Sequence, residues 1–89
     1  MQRRELRIVN RLGLHARAAA KIVHQASSFK SSVALAFGNR RANAHNIIAV
    51  MLLAANMGAT ITVETSGPDE REAMTAISRL VNDRFGETE

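Results

Sequence analysis

Apolar positions along this chain switch repeatedly between a two-residue and a helical period, and each switch marks an element. Residues Glu5–Val9 alternate, with Leu6 and Ile8 turned to one side, which predicts a first strand. Asn10–Gly13 ends it as a loop. From Ala16 the period becomes helical: Ala19, Ile22, Val23 and Ala26 share one face, and Arg17, Ala20, Lys21, His24 and Ser27 share the other. Ser27–Ser28 and Ser31–Ser32 interrupt this helix, and Val33–Phe37 then alternates as a second strand with Val33, Leu35 and Phe37 on one side. Gly38–Asn39 is a turn signal, so Arg40–Ala44 is expected to return as a third strand of a hairpin. Asn46 is a suitable N-cap for a short helix from Ile47 to about Ala55. Beyond Gly58, Thr60–Thr65 is rich in β-branched residues and reads as a strand. After the turn Ser66–Gly67–Pro68, Asp69 with Glu72 three residues on has the form of a capping box. The last helix then directs Ala73, Ile77, Leu80 and Val81 to the core and is expected to end at Gly86.

The order is βαββαβα. Alternating strands and helices with one apolar stripe each predict an α+β fold: a four-stranded antiparallel sheet covered on one face by three helices. At 89 residues the chain is expected to form a single domain spanning residues 1–89, enough for one core. No apolar run approaches the roughly 18 residues that a membrane span needs, so no membrane association is expected. The N-terminus carries no signal-peptide core and the chain has no cysteine, which together point to the cytoplasm. The net charge of +4 favours acidic partners. Nucleic acid is disfavoured, because the basic residues are dispersed and Phe29, Phe37 and Phe85 form no stacking platform.

The chemistry concentrates in Asn10–Ala20, where His15 stands at a loop-to-helix junction with Arg17 two residues later. A helix start presents unpaired N–H groups and the positive end of the helix dipole, so it holds anions well. An imidazole there is suited to accept a phosphoryl group and to have the resulting dianion stabilised. Arg17 offers a fixed positive fork to phosphate oxygens, and the backbone N–H groups of Ala16 and Arg17 complete the anion site. The small residues Ala16, Ala18, Ala19 and Ala20 are expected to leave room for a partner to close over the histidine. Standing alone, such a histidine would read as a helix cap and Arg17 as an exposed charge. His24 reads as a solvated helix residue and His45 as a loop residue. With no cysteine and no acidic cluster near the histidines, neither a metal nor another cofactor is expected. No histidine or serine has the acid–base pairing of a hydrolase triad, so the chain reads as a substrate of enzymes and not as an enzyme.

Gly13–Leu14–His15–Ala16–Arg17, the apolar segment Asn46–Leu53 and Gly67–Pro68–Asp69–Glu70, set in a βαββαβα order, resemble the HPr-type phosphocarriers of the bacterial phosphotransferase system, including the NPr branch. The resemblance covers essentially the whole chain. It implies an open-faced β-sandwich and transient phosphorylation of His15 at Nδ1 by enzyme I, itself charged from phosphoenolpyruvate. It also implies delivery of the phosphoryl group to an EIIA-type acceptor. Two positions depart from the family's pattern. Ala18 stands where proline often follows the motif arginine, which leaves the first helical turn with an extra donor. Asn46 stands where many HPr proteins have a regulatory serine; it caps a helix but offers no hydroxyl to a kinase, so HPr-kinase control is not expected here.

Ile47, Ile48, Val50, Met51, Leu52 and Leu53 place apolar groups almost all round the second helix. One sheet cannot bury them all, so Ile47, Ile48 and Met51 are expected outward and Val50 and Leu53 inward, with Asn46 at the edge of a partner-docking face. Arg17, Lys21, His24 and Ser27 would form its polar rim, with Ala20 among the partner-binding residues. The same residues serve two readings: a phosphocarrier in a sugar or nitrogen-related branch, or a binding module whose phosphorylation controls association with regulatory targets. A carrier that presents one small face to successive partners is expected to be monomeric.

Overall fold

The computed structural model describes residues 1–89. Strands β1 (Gln2–Arg7), β2 (Ser32–Phe37), β3 (Arg40–Asn43) and β4 (Thr60–Ser66) form one sheet in the order β1-β4-β2-β3. Every neighbouring pair is antiparallel, with Leu6 opposite Ile61 and Leu35 opposite both Val63 and Ala42. Helices α1 (Ala16–Ala26), α2 (Ile47–Leu52) and α3 (Glu70–Asn82) cover one face. Alternation sets the layer between them: Leu6, Val33, Leu35, Ala42, Ile61 and Val63 turn towards the helices and are buried. They meet Ala18, Ala19, Ile22 and Ala26 of α1 and Ala73, Met74, Ile77 and Val81 of α3 in one core of 21 residues.

Several element details differ from the pattern-based expectation. β1 begins at Gln2, since Gln2, Arg3 and Arg4 pair with Thr65, Glu64 and Val63; charged side chains on the solvated face of an edge strand conceal it from an apolar pattern. Helix α2 stops at Leu52, and Ala54 reverses the chain in a left-handed conformation (φ 54°) while Arg40 Nη1 donates to the Leu52 carbonyl at 3.0 Å. Within α1 the buried stripe takes in Ala18, and Val23 is only half-buried. Leu80 is likewise half-buried, and its expected core place on α3 is shared by Met74 and Ser78. Arg4 Nη1 donates to the Ser78 hydroxyl at 2.9 Å, tying β1 to that helix.

The capping box does not form. Asp69 is the N-cap of α3, but its carboxylate turns away from the helix and accepts from the Lys30 and Ser31 amides (both 2.9 Å) and the Ser31 hydroxyl (2.6 Å). Glu70, not Glu72, reaches back to the Gly67 amide, at 3.2 Å. Gly67 lies so close to Ser31 that a Cβ would stand 2.7 Å from its Cα. The hydrogen bonds hold the Asp69 carboxyl below its ordinary value, the Ser31 hydroxyl first and the Lys30 amide next.

Helix α3 also ends earlier than expected, at Asn82. Arg84, Phe85 and Gly86 follow with φ of 55°, 55° and 77°, a left-handed turn that only Gly86 adopts without strain. Phe85 is fully buried, and that burial offsets the backbone cost. The turn sends Glu87–Glu89 back across the start of α1.

Candidate functional site

Gly13 (φ 66°) lets the chain turn into α1 where no side chain would fit: a Cβ there would sit 2.7 Å from the Ala55 carbonyl oxygen. The next amide, Leu14 N–H, donates to that same oxygen at 3.0 Å, which fastens the loop to the segment after α2. His15 is the N-cap residue of α1, with extended backbone (φ −75°, ψ 177°), and its carbonyl accepts from the Ala19 amide at 2.9 Å. Its side chain does not cap the helix. The first turn contains no acidic residue, so the N–H groups of Ala16 and Arg17 face outward with no side-chain acceptor from their own helix.

The imidazole is instead engaged from the far end of the sequence. Nε2 of His15 pairs with Oε2 of Glu87, with side-chain exposures of 27 % and 15 %. The other carboxylate oxygen of Glu87 accepts from Asn10 Nδ2 at 3.1 Å, and Asn10 Nδ2 also donates to the Gly13 carbonyl at 2.9 Å. Asn10 is fully buried, and its Oδ1 is left without a partner, so its amide is fixed by the two acceptors it serves. Burial pushes the Glu87 carboxyl upward, but His15 and then Asn10 outweigh it and hold it below the ordinary value. The expectation that no histidine has an acid–base partner is corrected by this pair: the carboxylate lies 72 residues away, beyond any local pattern.

Arg17 is exposed and makes no ion pair; with Arg11, Lys21 and Gly86–Glu89 it lines an open cleft of about 580 Å³. A second shallow groove brings Arg17, Ala20, Lys21 and His24 together with Leu80. Lys21 is not a free rim charge: its Nζ donates to the Phe85 carbonyl and caps the left-handed turn. Arg11 pairs with Glu89 at 2.9 Å on the outer side of the cleft. Ala18 and Ala19 are buried in the core, so the room beside the histidine comes from Ala16 and Ala20 alone. Ser27 is exposed at the far end of α1, its hydroxyl bonded to the Val23 carbonyl at 2.8 Å.

Asn46 Oδ1 accepts from the Ala49 amide at 3.1 Å and so caps α2. Val50 and Leu53 are buried, while Ile47, Ile48 and Met51 face outward. Leu52, 66 % exposed, is more open than Ile48 at 60 %, and Leu12 is exposed to a similar degree; neither was singled out by the helical pattern. Residues of α1 and α2 are in contact, so this apolar patch adjoins the histidine-bearing helix.

Known proteins resemble this chain in sequence and in fold. The family described as the PTS HPr component phosphorylation site matches residues 2–83. A phosphocarrier protein HPr of Cupriavidus necator is 49 % identical over 89 residues, all of both chains. A phosphocarrier protein NPr of Shewanella violacea is 39 % identical over 84 residues, 94 % of this chain and 92 % of that one. The crystal structure of HPr-C-His from Thermoanaerobacter tengcongensis superposes with a TM-score of 0.95 at 36 % identity, covering all of both chains. A sheet of this order, a histidine heading α1 and full-length similarity lead to one family: the chain belongs to the HPr phosphocarriers of the phosphotransferase system, carriers and not catalysts.

Proposed function

We propose that His15 accepts a phosphoryl group from phosphoenolpyruvate-charged enzyme I and passes it to an EIIA-type acceptor. The observation that carries this reading is the open start of α1, where the His15 side chain leaves the helix N–H groups of Ala16 and Arg17 uncapped. The Nδ1 edge of the ring makes no hydrogen bond within the protein and is the edge proposed to take the phosphoryl group. Its lone pair attacks phosphorus, the bond from phosphorus to the donor breaks, and that electron pair leaves with the donor. Arg17 and the helix start then hold the dianion. Reversal at the acceptor returns the electron pair to Nδ1.

Ile47, Ile48 and Met51, bordered by Asn46, Ala20, His24 and Ser27, are the proposed docking face, and the exposed Leu52 and Leu12 extend it. The same reading makes the chain a cytoplasmic, monomeric single domain that meets its partners in turn. Incubation with phosphoenolpyruvate and purified enzyme I, followed by phosphate-preserving mass spectrometry, tests it. An acid-labile, base-stable phosphate on the wild type that is absent from His15→Ala supports the carrier. No phosphate on the folded wild type leaves the apolar patch as a binding surface alone.

A further inference from the structure

We infer that Glu87 is a positioning residue for His15: it fixes which ring nitrogen carries the proton and balances the charge that the ring gains on phosphorylation. This rests on the reading of His15 as the phosphoryl acceptor. A neutral imidazole carries one proton, and an ionised carboxylate accepts hydrogen bonds but donates none. Oε2 of Glu87 on Nε2 therefore requires Nε2 to bear the hydrogen, which leaves the lone pair on Nδ1. The carboxylate is itself held from behind. Its second oxygen takes the Asn10 amide at 3.1 Å, and that amide is buried and immobilised by the Gly13 carbonyl at 2.9 Å. An Asn10 that leaves its own buried Oδ1 unpartnered is explained if its task is to aim Glu87.

This arrangement lets the reaction run without moving a proton. When Nδ1 bonds to phosphorus, the ring becomes an imidazolium whose Nε2–H still points at Glu87. When the P–N bond breaks, its pair returns to Nδ1 and the starting tautomer is restored. The carboxylate thus stabilises the charged ring on the edge opposite the phosphoryl group, where Arg17 supplies the other counter-charge. The remaining charged groups lining the adjoining cleft are Arg11, which is paired with Glu89, and Lys21, which is committed to the Phe85 carbonyl.

Long-range 1H–15N spectra of the unphosphorylated protein, recorded where imidazole is neutral, report the tautomer directly. Wild type is expected to hold His15 protonated at Nε2 alone, and Glu87→Ala to populate both tautomers. Phosphoryl acceptance from enzyme I should slow about 10- to 100-fold in Glu87→Ala. Glu87→Gln, which keeps an acceptor oxygen but no charge, should restore the tautomer and only part of the rate. An unchanged tautomer or an unchanged rate in Glu87→Ala, with wild-type circular dichroism, overturns the role of Glu87 alone. A wild type that takes no phosphate overturns the carrier reading with it.

Discussion

The starts of α1 and α3 pose the same problem and solve it in opposite ways. Each N-cap residue, His15 and Asp69, has a side chain that could cap its helix and does not. At α3 the positive end of the helix dipole is met from within: Glu70 and Glu72 stand in the first turn, and the Asp69 carboxylate is saturated by Lys30 and Ser31. At α1 no acid stands in the first turn, and the one nearby carboxylate, Glu87, engages the far edge of the imidazole. A helix start closed by the chain's own acids is structural, whereas one left open with a free arginine beside it is a place for an external anion. Helix α2, capped by its own Asn46, lies between these extremes.

The largest expected effect is at the open end. Arg17→Ala should lower the rate of phosphoryl acceptance about 100-fold, while its melting temperature stays at the wild-type value because Arg17 has no partner to lose. Equal rates for both proteins would mean that the helix start alone binds the anion. At the self-capped helix, Asn46→Ala should cost about 1 kcal/mol in denaturant unfolding, with phosphorylation of His15 intact. The smallest effect belongs to the closed end. The Asp69 and Glu87 carboxyls both titrate below their ordinary values in the folded protein. Their stabilisation is therefore complete above the unfolded values near ~4 and is lost as pH falls through them towards the folded ones. Asp69→Asn should flatten the dependence of melting temperature on pH between about 5 and 3 and leave phosphoryl transfer unchanged. A steep acid slope that survives the substitution would assign it to Glu87 or Glu70.

The contrast also explains what the sequence made legible. Period-two and helical patterns revealed all four strands and three helices, because each has one face on the core. The junction Gly13–Arg17 was legible for the same local reason: a glycine, a histidine and a helical period stand side by side. What escaped is held by pairs far apart in the chain. Asp69 reads as a capping-box residue until the fold brings Ser31 to it, 38 residues away. Lys21 reads as a solvated charge until the left-handed turn presents the Phe85 carbonyl. Glu87 carries no signal beyond being an acid near a glycine, and the turn that delivers it runs through Arg84 and Phe85, residues that rarely take that conformation.

The contact between Gly13 and the Ala55–Asn56 backbone has a consequence for alignment. Because a Cβ at residue 13 would stand 2.7 Å from one backbone atom and 2.9 Å from another, the loop has no slack against that segment. The Leu14-to-Ala55 hydrogen bond pins it in register. The exposed side chains of α2 and the imidazole of His15 are thus mounted on one plate, at a fixed offset from each other. A protein that seats on Ile48 and Leu52 has thereby located the ring as well. On the proposed reading, in-line transfer tolerates misplacement of less than about 1 Å before rates fall steeply, and a shared mount would supply that precision to any partner that used the same foothold.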